Sequence, residues 1–246
     1  DVYKRQDLTQ GPVMKSMLRF AVPMILGDLL QQCYNVADTL IVGQFLGANA
    51  LAAVGSAFTL MTFLTSILLG LCMGSGALFS IRFGQKDEQG LKEAICTSFL
   101  LIAVITLLLN LLAFACLDGI AVFLQVPSDV WPLMREYLAV ILCGIAATFL
   151  YNYFSSLLRS VGNSVAPLLF LAVSAILNIG LDLWFVIGLK RGVAGAAEAT
   201  VISQYISGIG LALYYWVRFP ALRVERAHLK LRRSCIREIA GFSILT

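Results

Sequence analysis

The sequence predicts an all-α integral membrane protein, a bundle of six transmembrane helices followed by the start of a seventh. Three observations carry this. Of 246 residues, 59% are hydrophobic and 13% charged, against roughly 45–50% and 25% in soluble chains, and the mean hydropathy is +0.87. Apolar runs long enough to cross a hydrocarbon core, which takes about 20 residues, recur six times. Lysine and arginine gather on one side of the resulting topology. This composition excludes a disordered chain, a nucleic-acid-binding domain and a cytosolic enzyme.

The runs cover residues 17–43, 51–81, 94–117, 132–158, 165–189 and 193–217, and a seventh begins near Ile236. Polar punctuation separates them: Gly47 with Asn49, then 85–90, 118–132, Gly162 with Asn163, 190–192 and 218–237. Pro23 interrupts the first run; it removes one backbone hydrogen bond and permits a bend. Gly43-x-x-x-Gly47 and Gly70-x-x-x-Gly74 are spaced for close helix packing. Residues 117–128 (LDGIAVFLQVPS) are too few to span and read as an interfacial amphipathic stretch. The six cysteines form no CxxC, and five sit in apolar runs, where they read as small buried hydrophobes.

Orientation follows from positive charge. With the N-terminus in the cytoplasm, fifteen of the eighteen Lys and Arg fall inside; Arg135, Lys190 and Arg191 fall outside. The stretch RVERAHLKLRRSCIR then becomes a cytoplasmic, topology-fixing loop in contact with anionic lipid rather than a nucleic-acid patch. The expected organisation is a cytoplasmic segment at 1–11, a six-helix unit at 12–217, a cytoplasmic loop at 218–236 and the beginning of a seventh helix at 237–246. The chain starts at Asp1 with no signal-peptide pattern, so residues 1–6 are set aside as a misassembled start, and both ends point to an incomplete protein.

Ionisable residues inside a membrane are costly and point to function. Asp28 and Asp38 fall in the first run, Asp182 in the fifth and Glu198 in the sixth. Counting along each helix, Asp38 lies ~8 Å and Asp182 ~10 Å below the outer end, and Thr200 is about seven residues below its own. On the first helix, Gln31 and Tyr34 lie about 20° and 40° from Asp38, whereas Asp28 is about 80° away. Asn178 shares a face with Asp182 four residues on, and the fourth run adds Asn152 between Tyr151 and Tyr153. A polar, aromatic-lined cavity between helices satisfies all of these. Interhelical hydrogen bonding alone remains an open reading for Asn152 and Thr200.

These residues sit in strings that resemble the multidrug and toxic compound extrusion transporters: PMILGDLLQQCYNVADTLIVGQFLGANALAAVG, LLRSVGNSVAPL, NIGLD and GVAGAAEATVISQ, with similarity over residues 12–246. The resemblance implies twelve spans in two pseudo-symmetric lobes. This chain would supply the N-terminal lobe, the connecting loop and the first turns of span seven, with the C-terminal lobe as its missing partner. It also implies that Asp38, Asp182, Asn178, Thr200 and Asn152 bind the coupling cation, that Gln31, with Tyr34 and Tyr151, lines the substrate cavity, and that Pro23 bends its helix. The pair Asp38 and Asp182 looks like the DNA-damage-inducible-type branch. Glu198, usually aliphatic in relatives, and Asp28, often asparagine, depart from the pattern.

The implied activity is export of amphiphilic or cationic small molecules across the cytoplasmic (inner) membrane. A proton or sodium gradient drives it, with sodium at Asp38 and Asp182 in the latter case, and no cofactor takes part; no GxxxxGK[ST] loop exists. A lipid-linked oligosaccharide flippase of the same superfamily is the nearest rival, and would call for basic residues in the cavity. An intramembrane enzyme is less well supported, since HExxH and DDxxD are lacking and His228 is the single histidine. A seven-helix receptor conflicts with an inside N-terminus. The topology is checked by cysteine-accessibility labelling in right-side-out and inverted vesicles. Positions near Asn49 and Lys190 should react from outside, and positions near Gln85 and His228 from inside; outside labelling at Gln85 would overturn the six-span arrangement.

Overall fold

The computed structural model describes residues 13–222 and 233–244. All regular structure among them is helical, as expected where lipid offers the backbone no hydrogen-bond partner. Helix α1 runs Val13–Leu46, α2 Ala48–Gly84 and α3 Glu88–Ala115. A short helix, α4 (Leu117–Phe123), leads to α5 (Trp131–Ile141), which passes through a 3₁₀ turn at Leu142–Gly144 into α6 (Ile145–Ser160). Helix α7 (Val165–Asp182) continues as a π-helical segment over Leu183–Gly188, and α8 spans Gly192–Arg218. Past a 3₁₀ turn at Pro220–Leu222 comes α9, Arg233–Ile244, which begins three residues before the expected Ile236. The expected segment 1–11 and residues 223–232 of the loop, with His228, lie outside the described residues.

Four units are long and apolar enough to cross a membrane: α2, α3, α5–α6 together and α7 with its π segment. Helices α1 and α8 are of comparable length but more polar, because α1 carries Asp28, Gln31, Gln32 and Asp38 and α8 carries Glu198, Ser203, Gln204 and Ser207. Much apolar surface faces outward, for example Leu107, Leu108, Leu111 and Leu112 along α3. A helix apolar on all sides needs lipid or protein around its whole circumference.

One end of the bundle gathers the α2–α3 turn, where Arg82 bonds Glu238 of α9, and the α6–α7 turn after Arg159, where Asn163 Nδ2 donates to the Tyr214 hydroxyl near Arg218. A second end brings the α1–α2 turn to the segment before α5, which carries Arg135. At this second end Asn49 Nδ2 donates to Asp129 Oδ2 over 3.4 Å. The tight turn there needs Gly47, whose φ of 88° lies in the left-handed region. Asp87 caps α3 by accepting from the Gly90 amide at 2.9 Å. Helix α8 packs against α5, α6 and α7, while α2 packs against α3, α5, α6 and α9. Between them Tyr153, 1% exposed, sits among Phe79, Phe99, Phe149 and Phe154, and donates to the Ile95 carbonyl at 2.7 Å.

Two sequence expectations change. Gly43 and Gly47 form no helix crossing; Gly47 makes the turn, and the nearest side chain to Gly43 is Leu51, just across that turn. Cys72, Cys96 and Cys235 are buried, but Cys33, Cys116 and Cys143 are exposed, because an apolar run gives no sign of which side meets the core. Pro23 lies inside helix α1. The expected close contact at Gly74 does occur. A β-carbon there would collide with Ser243 Oγ and lie 2.7 Å from the Ser243 backbone nitrogen, so α9 crosses α2 backbone to backbone. Gly74→Ile should therefore lower the melting temperature in detergent, with overpacking costs of about 1–3 kcal/mol. Gly119→Ala, with nothing near the added methyl, should not.

Candidate functional site

The helices enclose a cavity of about 510 Å³ whose wall is built from α1, α2, α5, α6 and α8. Helix α1 contributes Gln31, Tyr34 and Asp38, two turns of one face, and α2 contributes Phe58, Met61 and Thr65. Tyr137 comes from α5, Thr148 and Asn152 from α6, and Thr200 and Gln204 from α8. The lining is amphipathic: aromatic and aliphatic carbon on one side, amides, hydroxyls and one carboxyl on the other.

Asp38 is half-buried on the cavity wall, and the side chain of Asp182 faces it from behind. Asp182 is 0% exposed. Neither of its carboxyl oxygens has a hydrogen-bond partner among the described residues, nor does Asp38 Oδ1. A fully buried carboxyl with no countercharge is costly, which singles out Asp182, with Asp38 facing it, as a candidate functional group. A turn below Asp182, Asn178 Nδ2 donates to Thr200 Oγ1 over 3.2 Å, leaving Asn178 Oδ1 unpartnered.

The surrounding hydrogen bonds fix this geometry. Thr148 donates to Gln204 Oε1 at 2.7 Å, and Asn152 Nδ2 donates to the Thr148 carbonyl at 2.8 Å. The Tyr34 hydroxyl faces Gln31 and Gln204. The π-helical segment starts directly after Asp182, and the Leu189 amide reaches back five residues to Trp184 at 2.9 Å. Such segments are frequent where a helix serves a site.

The expected residues thus divide. Gln31, Tyr34, Asp38, Asn152 and Thr200 line the large cavity. Gln31, Tyr34, Asn152 and Thr200 also line a smaller recess of about 40 Å³, together with Asn178 and Tyr151. Tyr151 belongs to that recess and not to the larger cavity, and its hydroxyl donates to the Pro167 carbonyl at 3.1 Å. Tyr153 is in the aromatic core on the opposite face of α6. Pro23 borders neither space. Glu198 accepts from Arg191 Nη2 at 2.7 Å, at the end of the bundle away from Arg82, and Asp28 is exposed. Tyr137, Thr148 and Gln204 were not anticipated. Helical spacing could have found two of them, since Thr148 and Gln204 lie four residues from Asn152 and Thr200. Nothing in the sequence distinguishes Tyr137.

Comparison with known proteins identifies the family. The family model MatE matches residues 23–184. The chain belongs to this family, one of membrane transporters rather than enzymes. It is 32% identical over 215 residues to the Probable multidrug resistance protein YpnP of Bacillus subtilis (strain 168), covering 87% of this chain and 48% of that protein. It is 27% identical over 241 residues to the Multidrug export protein MepA of Staphylococcus aureus (strain bovine RF122 / ET3-1), covering 96% and 52%. A solved structure of a multidrug resistance MATE family transporter of the MOP superfamily, in an outward-facing conformation, superposes with a TM-score of 0.86 at 26% identity. That match covers 94% of this chain and 52% of the other. The chain spans about half the length of the curated relatives it matches.

The Asn178–Thr200 bond gives a local test. Thr200→Val removes the acceptor and strands a buried amide, a loss of about 1–3 kcal/mol. Its thermal unfolding in detergent should shift down, and Thr200→Ser should recover most of the loss. Equal stability of the valine variant would show that the bond contributes nothing.

Proposed function

We propose that this chain forms the N-terminal, six-span lobe of a cation-coupled antiporter. The antiporter exports amphiphilic, often cationic, small molecules across the cytoplasmic membrane. Its N-terminus faces the cytoplasm, lipid surrounds its outer faces, and a second lobe completes the transporter. The names of YpnP and MepA, a multidrug resistance protein and a multidrug export protein, support this reading. The single observation that carries it is the buried Asp182 facing Asp38 with unpartnered oxygens, beside a cavity large enough for a drug-sized molecule.

In this reading Asp38 and Asp182 take up and release a proton or a sodium ion, with Asn178 and Thr200 offering neutral oxygens. Gln31, Tyr34, Tyr137 and Asn152 hold substrate by amide, hydroxyl and ring contacts. Cation and substrate bias an exchange between outward- and inward-open states because each stabilises one state more than the other. The flippase alternative has less support, since the cavity wall has no Lys, Arg or His among the described residues.

The test is gradient-driven transport by the full-length transporter, second lobe included, in proteoliposomes, with protein amount checked for each variant. Asp38→Asn and Asp182→Asn keep shape and hydrogen-bonding capacity but can neither exchange a proton nor offer a charge. Each should abolish coupled efflux while membrane insertion survives, because removing an intramembrane charge lowers the insertion cost. Glu198→Leu should leave transport largely intact, since an exposed ion pair contributes about 0–1 kcal/mol. Near-normal transport by Asp38→Asn at normal abundance would make that carboxyl structural.

A further inference from the structure

The smaller recess is more than an annex of the cavity. It starts one helical turn from each carboxyl, at Tyr34 below Asp38 and at Asn178 below Asp182, and descends toward the end of the bundle that holds Arg82, Arg159 and Arg218. Three serines mark the descent. Ser174 donates to the Ser203 carbonyl at 3.0 Å, Ser203 to the Thr200 carbonyl at 2.9 Å, and Ser207 to the Phe170 carbonyl at 3.3 Å. All three are buried, and their hydrogens are committed to backbone oxygens, so what they offer the recess is acceptor lone pairs. Asn178, 1% exposed and lining the same space, adds an amide oxygen with no partner. No lining residue is charged.

A neutral, acceptor-rich pocket of about 40 Å³ fits small donors, and about 10–15 Å³ suffices for one water. The file does not stop at the recess. The Tyr151 hydroxyl lies beside Ser155 and within electrostatic reach of Asp28 and Arg159. Arg159 has a buried Nε without a partner among the described residues. Tyr151, Ser155 and Arg159 follow at four-residue intervals along one face of α6, a length of about 12 Å.

We propose that this recess is a water-filled conduit that carries protons between the Asp38–Asp182 pair and the Arg159 end of the lobe. The inference rests on the reading of that pair as the coupling site. In the step itself, a carboxyl O–H gives its proton to a recess water, which passes one of its own protons along the file. The carboxylate left behind takes its next proton from the cavity. Asp28 gains a role here as the carboxyl facing Tyr151 at the far end of the recess.

Two measurements on the protein in proteoliposomes test the conduit. Hydroxyl-radical footprinting should label Leu171, on the recess wall at 8% exposure, but not Leu158, in the dry core at 0%. Ser174→Val should remove that labelling and the substrate-driven proton flux while substrate binding persists. Ser174→Thr, which keeps the hydroxyl, should retain both. Equal protection of Leu171 and Leu158 would show a dry recess and overturn the proposal. Unchanged proton flux in Ser174→Val would overturn the conduit even if water is present. No proton flux in the unmodified protein, with Leu171 labelled and sodium-driven export intact, would also overturn the conduit yet leave the antiporter standing. Loss of all gradient-driven export in the unmodified full-length transporter, second lobe included, would instead sink the antiporter reading.

Discussion

Everything distinctive about this lobe depends on the face-to-face burial of Asp38 and Asp182. In a bundle made mostly of apolar helices, these two carboxyls are the groups least able to tolerate their surroundings alone. The bond from Asn178 to Thr200 and the amide network from Asn152 to Gln204 give them polar company without giving them countercharge. That distinction matters. A lysine or arginine at this depth would neutralise the pair permanently, whereas amides and hydroxyls leave it without a fixed countercharge. The helices that carry the pair's neighbours are correspondingly the less apolar ones, α1 and α8.

Much of this was legible in the sequence because membrane helices impose a strict period and a strict length. The apolar runs fall on long helices, four of which among the described residues are long and apolar enough to cross a membrane, and the 100° step put Gln31, Tyr34 and Asp38 on one wall. Spacing could not decide which side of an all-apolar helix faces protein. Cys33, Cys116 and Cys143 were therefore assigned inward and turned out exposed, and Tyr153 was grouped with Tyr151 although the two lie on opposite faces of α6. Tyr137 escaped for a related reason: it sits in an ordinary amphipathic turn, and only the packing of α5 against α8 brings it to the carboxyls. Gly47 was read as a packing residue because its positive φ cannot be seen in a four-residue glycine interval.

The division between a large amphipathic cavity and a small polar recess is one of chemistry: Phe58, Met61 and Tyr137 line only the cavity, Ser174, Ser203 and Ser207 line only the recess, and Asn152 and Thr200 border both.

The crossing of α9 over α2 has a consequence for how such a chain is divided. By order along the sequence, α9 comes after the connecting loop and would be counted with whatever follows. By contact it is fastened to α2 and α3: Gly74 admits its backbone, and Arg82 bonds Glu238 at 3.2 Å while also holding Asp87 at 3.1 Å. A gene-splitting or domain-swapping design that cut between residues 222 and 233 would thus expose a seam on α2 and α3. A cut beyond residue 244 would keep that seam covered.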